Sequence, residues 1–258
     1  MSNHLLLESY LRTLRLPTFL REYPQAGRQA AEADQSYEMF LQHLAEREVA
    51  ARESKSVARR LKQAGFPAVK ELSDFDFGAV PKLPKKQVLE LAKGEFIEHK
   101  ANIVLVGAPG LGKTHLAIAY GREACRRGHR VKFFTAAGLA NTYAEARDQR
   151  QVLRLEATIR RRQLIVVDEL GYVPFGKNGA ENLFHFFSQC YEQVSLIVTT
   201  NLPFAEWPQI FAGDERLAGA LLDRLTHRVH ILELVGDSYR FKSSMKSREG
   251  GDPEKKKK

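Results

Sequence analysis

Several features that mark other classes of protein are scarce or missing in this 258-residue sequence. Its two cysteines, Cys125 and Cys190, match no metal-binding or redox spacing, which favours a reducing compartment. The apolar runs are no longer than a strand, so no transmembrane helix is expected. Residues 1–10 lack the basic start and the cleavage site of a signal peptide. We therefore predict a cytoplasmic protein that has no membrane partner.

An excess of acidic residues is also missing. The net charge is +9 and the sequence pI is about 9.5. Residues 1–70 contribute +3 and residues 242–258 contribute +4, so the long middle of the chain is nearly balanced. A basic surface favours a nucleic-acid partner. Solvated helix faces and a basic tail are the alternative explanation of the same charge.

The sequence predicts different architectures along its length. Residues 1–66 follow a helical pattern and are predicted to form a small N-terminal domain for assembly and for DNA or partner binding. Proline and glycine punctuate residues 67–84, a predicted linker. Residues 85–242 alternate strands and helices, which indicates an α/β domain whose parallel sheet is covered by helices on both faces. Residues 243–258 are predicted to be a basic disordered tail.

Individual elements can be placed within these regions. Leucines near the start mark a short helix that Pro17 ends or interrupts, and a long helix is predicted to begin near Ser36, a typical N-cap residue. Phe75 and Phe77 are predicted to anchor the linker onto the next domain. A helix ending at Tyr191 is expected to bury Leu183, Phe186, Phe187 and Tyr191. The five predicted strands are Ile103–Val106, Val131–Thr135, Leu164–Val167, Ser195–Thr200 and Val229–Leu234.

The most informative segment, from Ile103 to Thr114, reads I-V-L-V-G-A-P-G-L-G-K-T. It is an apolar strand followed by the pattern G-x-x-x-x-G-K-[ST] of a phosphate-binding loop, and a predicted helix comes next. Glycines let backbone N–H groups curl around phosphates, the lysine places a cation on them, and the threonine hydroxyl can hold Mg²⁺. We therefore predict an ATP and Mg²⁺ site at Gly107, Ala108, Pro109, Gly110, Leu111, Gly112, Lys113, Thr114 and His115.

Two later strands end in polar residues that would complete such a site. Asp168 and Glu169 directly follow the strand Leu164–Val167. We expect Asp168 to orient Mg²⁺ through its water shell and Glu169 to polarise the attacking water. Asn201 follows the next strand, where it can bridge that water and the γ-phosphate. The alternatives are a surface turn with two acids and an ordinary strand-end asparagine.

Basic residues suggest two further roles. Arg224 ends a predicted helix before the last strand, where an arginine can reach a neighbouring subunit's phosphate as an arginine finger. Arg228 is the local competitor for this role. A basic stripe in the long N-terminal helix indicates contacts with DNA phosphates, or else an exposed helix face. The residues of this stripe are Arg52, Lys55, Arg59 and Arg60.

Taken together, the motifs resemble one family. The segments G-A-P-G-L-G-K-T, V-V-D-E-L-G-Y-V-P-F, T-T-N-L-P-F-A-E-W and L-L-D-R-L-T-H-R-V-H are similar to those of the IstB-like helper ATPases of bacterial insertion sequences, relatives of the DnaC helicase loaders within the AAA+ class. The N-terminal L-R-T-L-R-L-P also looks like this family's pattern. The resemblance covers about residues 5–242, and its N-terminal part favours transposition over replication.

This resemblance implies an AAA+ P-loop ATPase that forms a homo-oligomer on duplex DNA and recruits or stimulates a cognate transposase. ATP hydrolysis would reset the assembly, and the protein would be bacterial and cytoplasmic. The roles implied are phosphate and Mg²⁺ binding by Lys113 and Thr114, metal support by Asp168, catalytic base for Glu169, sensor for Asn201 and arginine finger in trans for Arg224.

One part of the sequence departs from the AAA+ pattern. Arg240, in G-D-S-Y-R, matches the position taken as a second sensor. Few residues follow the last predicted strand, so we expect the C-terminal helical lid to be reduced or absent, which argues against a protein unfoldase.

Three other functions stay open at this point. A DnaC-like helicase loader would prefer single-stranded DNA and would bind a replicative helicase. A nucleotide kinase would need an acceptor pocket and a mobile basic lid, whereas the Asp168–Glu169 pair with Asn201 favours water as the acceptor. A DNA-binding scaffold would bind ATP and barely hydrolyse it.

Overall fold

The chain divides into two compact units, residues 1–59 and residues 60–258. A computed structural model describes residues 2–172 and 174–236. The first unit is built from helices, and the second holds a five-stranded sheet. Among the described residues, every helix is either too short or too polar to cross a membrane.

The helices of the first unit are α1 (Ser2–Thr13), α2 (Pro17–Glu32) and α3 (Tyr37–Ala64), whose last residues belong to the second unit. The Ser36 hydroxyl accepts a hydrogen bond from the Met39 backbone N–H at 3.3 Å. This contact satisfies one of the free N–H groups at the start of α3. The predicted N-cap is therefore confirmed.

Helix α2 is the main departure from the sequence analysis, which placed only two helices in this region. Pro17 occupies the first turn of α2, where its missing N–H breaks no hydrogen bond. The helix then continues through Pro24. A proline can begin a helix as well as end one, and the sequence analysis considered only the second possibility.

A buried carboxylate joins the elements of the first unit. Glu48 is 3% exposed and accepts hydrogen bonds from the Thr18 N–H at 2.8 Å and from Arg52 Nε at 2.6 Å. Burial raises the pKa of Glu48, but the hydrogen bonds from Arg52 and Thr18 outweigh it, so the pKa lies below its usual value. Arg52 also donates to the backbone carbonyl of Arg15.

The sheet of the second unit is parallel throughout, with strand order β2-β3-β4-β1-β5. Val104 lies opposite Val198 on one side and Ile231 on the other. The predicted five-stranded parallel sheet is confirmed, and β3 continues three residues beyond its predicted end. The strands are β1 (Asn102–Gly107), β2 (Val131–Thr135), β3 (Leu164–Leu170), β4 (Ser195–Thr200) and β5 (Val229–Leu234).

Helices connect the strands and cover both faces, as the alternating pattern predicted. Short 3₁₀ turns at Leu72–Asp74, Phe77–Ala79 and Phe204–Glu206 accompany them. The helices are α4 (Lys85–Leu91), α5 (Glu95–Glu98), α6 (Lys113–Arg126), α7 (Ala136–Asp148), α8 (Val152–Arg160), α9 (Lys177–Cys190), α10 (Trp207–Ile210) and α11 (Glu215–Thr226).

Two apolar layers form the core, one on each face of the sheet. Alternation along β1 sends Leu105 to the layer that contains α6 and Val104 to the layer that contains α7, α9 and α11. Leu183, Phe186 and Phe187 of α9 are buried, as predicted. Tyr191, the fourth residue that was expected to be buried, is 37% exposed. The backbone leaves the helix at this residue, so its side chain leaves the apolar face.

The segment before α4 packs onto the start of α6. Phe75 is buried, and its ring makes edge-to-face contacts with Phe77 at 4.9 Å and His115 at 5.5 Å between centroids. His115 Nε2 donates to the Glu71 carbonyl at 2.7 Å. The Glu71 carboxylate accepts hydrogen bonds from Arg122 at 2.5 Å and from Arg126 at 2.8 Å. The predicted anchoring by Phe75 is therefore confirmed.

Candidate nucleotide-binding site

The turn between β1 and α6 depends on its glycines. Gly110 and Gly112 have φ of +84° and +91°, a region that side chains disfavour. A Cβ on Gly112 would lie 2.7 Å from Cε2 of Phe75, and a Cβ on Gly107 would lie 2.4 Å from the Leu234 carbonyl oxygen. The glycines of this motif therefore serve both the backbone geometry of the loop and its close packing.

Lys113 places its ammonium group within the loop. Its Nζ donates to the carbonyl of Gly107 at 2.6 Å and to the carbonyl of Ala108 at 2.8 Å. Helix α6 begins at Lys113, so its free N–H groups and the positive end of its dipole face the same loop. Cation, N–H groups and helix dipole together make this turn an anion site.

A buried carboxylate lies next to the loop. Asp168, on β3, is 3% exposed and accepts hydrogen bonds from Thr114 Oγ1 at 2.9 Å and from Thr199 Oγ1 at 2.5 Å. Mg²⁺ on a nucleotide is commonly held by one or two protein oxygens together with phosphates and water. Thr114 and Asp168 provide such oxygens, so the residues fit a magnesium–nucleotide complex.

The neighbouring acid, Glu169, has a different environment. Its φ is +62° and its side chain is exposed, whereas Asp168 and Leu170 on either side are buried. The pairing of β3 with β4 shifts register between Val167 and Leu170. The Glu169 N–H donates to Thr199 Oγ1 at 2.9 Å. This bulge turns two consecutive acids toward different surroundings, one against Thr114 and one into the open cleft.

Two cavities meet at the loop. The smaller, of about 120 Å³, is lined by Glu169, Asn201 and Tyr172 together with the loop. The larger, of about 430 Å³, extends from the loop to the segment before α4, with Asp74 and Phe75 among its lining residues. Both cavities are lined by Gly110, Lys113 and Thr114. Their sizes and shared wall suit a nucleoside in the larger cavity and a terminal phosphate in the smaller one.

Sequence reasoning missed two parts of this site. Thr199 was overlooked because an apolar run ending in polar residues does not indicate which of them faces the acids. The period-two alternation of β4 contains a usable signal, because it places Thr199 and Asn201 on the same face. The segment of residues 69–79 was interpreted only as a linker, although its side chains line the larger cavity.

The structure separates the predicted catalytic residues into two groups. Lys113, Glu169 and Asn201 line the smaller cavity. Arg224, at the end of α11, donates to the Ala220 carbonyl at 2.7 Å and lies 5.2 Å from the ring centre of Phe184. It lies at the edge of the sheet opposite the loop, because the next residue, Leu225, accepts a hydrogen bond from the side chain of Asn102 at the start of β1.

The structure describes one of the two other arginines that the sequence analysis singled out. Arg228 donates to the carbonyl of His99 at 3.3 Å. Arg240 lies outside the described residues.

In the described part of the chain, no three His, Cys, Asp or Glu side chains cluster as a metal site, and both cysteines are buried free thiols.

The four predicted DNA contacts differ in their surroundings. Lys55 and Arg59 are exposed on α3. Arg52 is bound to Glu48 and to the Arg15 carbonyl, as described above, and 55% of its side chain is still exposed. Arg60 Nε donates to the Cys125 carbonyl at 2.7 Å. Lys55 and Arg59 are therefore the two with the most accessible charge.

Two relatives match almost the whole length of the chain. An ATP-binding protein of insertion sequence IS21 from Pseudomonas aeruginosa is 37% identical over 241 residues, 93% of this chain and 91% of the relative. A corresponding protein of insertion sequence IS5376 from Geobacillus stearothermophilus is 35% identical over 236 residues, 92% of this chain and 94% of the relative.

Solved structures agree on the fold. AMPPCP-bound DnaA from Aquifex aeolicus has a TM-score of 0.54 at 22% identity and covers 72% of this chain, which spans 56% of that structure. DnaI has the same TM-score at 15% identity, over 64% of this chain and 91% of the DnaI chain. The second unit accordingly has the AAA+ fold. The family model of the IstB-like ATP binding proteins matches residues 9–247, and the chain belongs to this family.

Proposed function

We propose that the protein is an ATP-hydrolysing regulator of transposition, which assembles on duplex DNA and recruits or stimulates a transposase. The observation that carries the proposal is the convergence of Thr114, Asp168 and Glu169 at one phosphate loop, with one acid buried against the threonine and the other open to the cleft. This arrangement separates metal support from water activation. Both tasks are needed for hydrolysis of a terminal phosphate.

Each residue has a defined task in the proposed hydrolysis of ATP. Lys113 holds the outer phosphates by charge, and the N–H groups at the start of α6 orient them. Bound Mg²⁺, held by Thr114 and Asp168, would neutralise phosphate charge. Glu169 accepts a proton from water as the water attacks the γ-phosphorus and ADP leaves. Asn201 lines the same cavity and is placed to hold that water against the phosphate.

A second copy of the chain is proposed to complete the site. Arg224 lies beside the start of β1, while the phosphate loop follows the end of this six-residue strand. The strand is about 20 Å long at about 3.3 Å per residue. An arginine side chain cannot span that distance, so Arg224 can act as a finger only on the nucleotide of another subunit. ATP would thereby favour the assembled state.

The proposed DNA contacts are those of a backbone-binding protein. The net charge of +9 and the exposed cations Lys55 and Arg59 support neutralisation of phosphates, with Arg52 and Arg60 as weaker candidates. Such binding depends strongly on salt and little on base sequence.

Family membership and the insertion-sequence relatives support a transposase as the partner over a replicative helicase. Both alternatives share the ATP site, so the geometry of that site does not distinguish them. The nucleic acid that triggers assembly does, because a helicase loader would act on single strands.

Sedimentation of the full chain tests the proposal. ATP or ADP is supplied with duplex or single-stranded DNA of equal length at two salt concentrations. We expect a large species only with ATP and duplex DNA, and we expect it to be weaker at high salt and absent in Arg224→Ala. Arg228, whose guanidinium donates to the His99 carbonyl, is the other candidate for the finger, and assembly should persist in Arg228→Ala if Arg224 has that role. Assembly on single strands alone, or none under any condition, would contradict the proposal.

A further inference from the structure

One hydroxyl group contacts both acids of the site. Thr199 Oγ1 is the only side-chain oxygen of that residue, and it takes part in two hydrogen bonds: it donates to Asp168 Oδ1 at 2.5 Å and accepts from the Glu169 N–H at 2.9 Å. Thr199 is 1% exposed, so water cannot replace either partner. A hydroxyl has one proton to donate and lone pairs to accept, so both bonds can exist together.

The position of this hydroxyl coincides with the irregular part of the sheet. Between Val167 and Leu170 the ladder between β3 and β4 shifts register, and Glu169 adopts a φ of +62°. A non-glycine side chain disfavours such a conformation, so a contact that fixes the Glu169 backbone helps to maintain it. The bond from the Glu169 N–H to Thr199 takes the place of a regular ladder contact at this point.

We propose that Thr199 is a positioning residue for the hydrolysis of ATP, which sets the Asp168 carboxylate and the Glu169 backbone at the same time. The inference rests on the proposed ATPase activity. Thr199 donates to the oxygen that Thr114 also contacts, so it orients the metal-supporting acid. Through the Glu169 N–H it maintains the bulge that presents the catalytic base to the smaller cavity.

Three variants test this role through the kinetics of ATP hydrolysis by the full chain. Thr199→Val keeps the shape of the side chain and removes the hydroxyl, Thr199→Ser keeps the hydroxyl, and Ser195→Ala removes another buried hydroxyl from the same strand. A displacement of about 1 Å at a catalytic group lowers a rate about 100-fold. We expect about this loss of kcat in Thr199→Val with little change in KM for ATP, and near-normal kcat in the other two variants.

The effect should act through Glu169, and a double variant shows whether it does. In a Glu169→Gln background, Thr199→Val should lower the residual rate far less than it does in the wild-type chain, because residues that act as a unit are not additive. The same factor in both backgrounds would overturn the inference. An equal loss of kcat in Ser195→Ala would also overturn it, because the effect would then be one of general stability.

A separate measurement tests the contact between Thr199 and Asp168. ATP affinity is measured at increasing Mg²⁺ concentration. The Mg²⁺ concentration at which the increase in ATP affinity is half complete should rise in Thr199→Val and stay unchanged in Thr199→Ser. An unchanged Mg²⁺ dependence in Thr199→Val would overturn this half of the inference. A wild-type chain that binds ATP and never hydrolyses it would instead contradict the proposed activity, and this binding titration would still decide the role of Thr199.

Discussion

At the scale of single residues, the site contains several residues whose backbone has a positive φ. Glycine occupies the positive-φ positions of the phosphate loop, whereas Glu169 has a positive φ with a full side chain. Strain of this kind is typical of functional positions. The glycines allow the loop backbone to approach a phosphate closely, and the bulge at Glu169 separates its exposed carboxylate from the buried carboxylate of Asp168.

The role of Glu169 leads to the first prediction. Glu169→Gln should lower the rate of ATP hydrolysis at least about 100-fold, because loss of a general base costs about 10²–10⁴ in rate. ATP affinity should change little, since the lysine and the loop remain. Phosphate release and nucleotide binding, measured on the same preparation, check both parts. Loss of binding together with hydrolysis would assign Glu169 to the binding of nucleotide.

A glycine pair gives the second prediction. Gly112→Ala strains a φ of +91° and also brings a Cβ within 2.7 Å of the Phe75 ring, whereas Gly128→Ala strains a φ of +99° with nothing within 4 Å. Both should lose about 1–2 kcal/mol of folding free energy from backbone strain. Only Gly112→Ala should lose further stability and ATP affinity, as checked by urea unfolding and nucleotide titration. Equal effects of the two variants would exclude a role for the contact with Phe75.

At the scale of elements, an ion-pair cluster joins the segment before α4 to α6. The hydrogen bond from Arg126 has the largest effect on the pKa of Glu71 and, together with that from Arg122, outweighs the opposing effect of burial, so the pKa falls to about 2. A depressed pKa stabilises the folded state above the unfolded value of 4.5, and this contribution is lost as pH falls from about 4.5 toward 2. Protonation of Glu71 at low pH should therefore weaken the attachment to α6 of the segment that lines the larger cavity.

The third prediction follows from the lowered pKa of Glu71. Glu71→Gln should lower the free energy of unfolding at pH 7 by at most about 3 kcal/mol, from about 1.36 kcal/mol per pKa unit. Its unfolding free energy should also fall less between pH 5 and pH 3 than that of the wild-type chain. Urea unfolding at several pH values checks this. Glu145→Gln, at an exposed position on α7, is the control. Parallel pH profiles for Glu71→Gln and the wild-type chain would refute the assignment.

The elements also show what the sequence could reveal. All five strands and the phosphate loop were predictable, because buried parallel strands are continuous apolar runs and the loop needs fixed residue types at fixed spacing. Helix α2 was not, since Pro17 and Pro24 resemble helix breakers. The contacts of Thr199 and the cavity beside Phe75 depend on a register shift and on the path of an irregular segment, which local patterns do not encode.

At the scale of the whole molecule, the proposed complex with DNA depends on exposed positive charge. The fourth prediction concerns the exposed pair Lys55 and Arg59. Replacing both by glutamine should reduce the slope of log affinity for duplex DNA against log salt by about 0.9 per lost phosphate contact. Fluorescence anisotropy over a salt series measures it, with Lys86→Gln on α4 as control. An unchanged slope would remove α3 from the DNA interface.

The most direct test of the account is the rate of ATP hydrolysis per chain on duplex DNA, measured against protein concentration for the wild type, Glu169→Gln and Arg224→Ala. A site completed by a second subunit predicts a rate per chain that rises steeply with concentration, is abolished in Glu169→Gln, and falls about 1,000-fold in Arg224→Ala, the loss expected for an arginine finger. A rate per chain that is independent of concentration and insensitive to Arg224 would contradict the shared site.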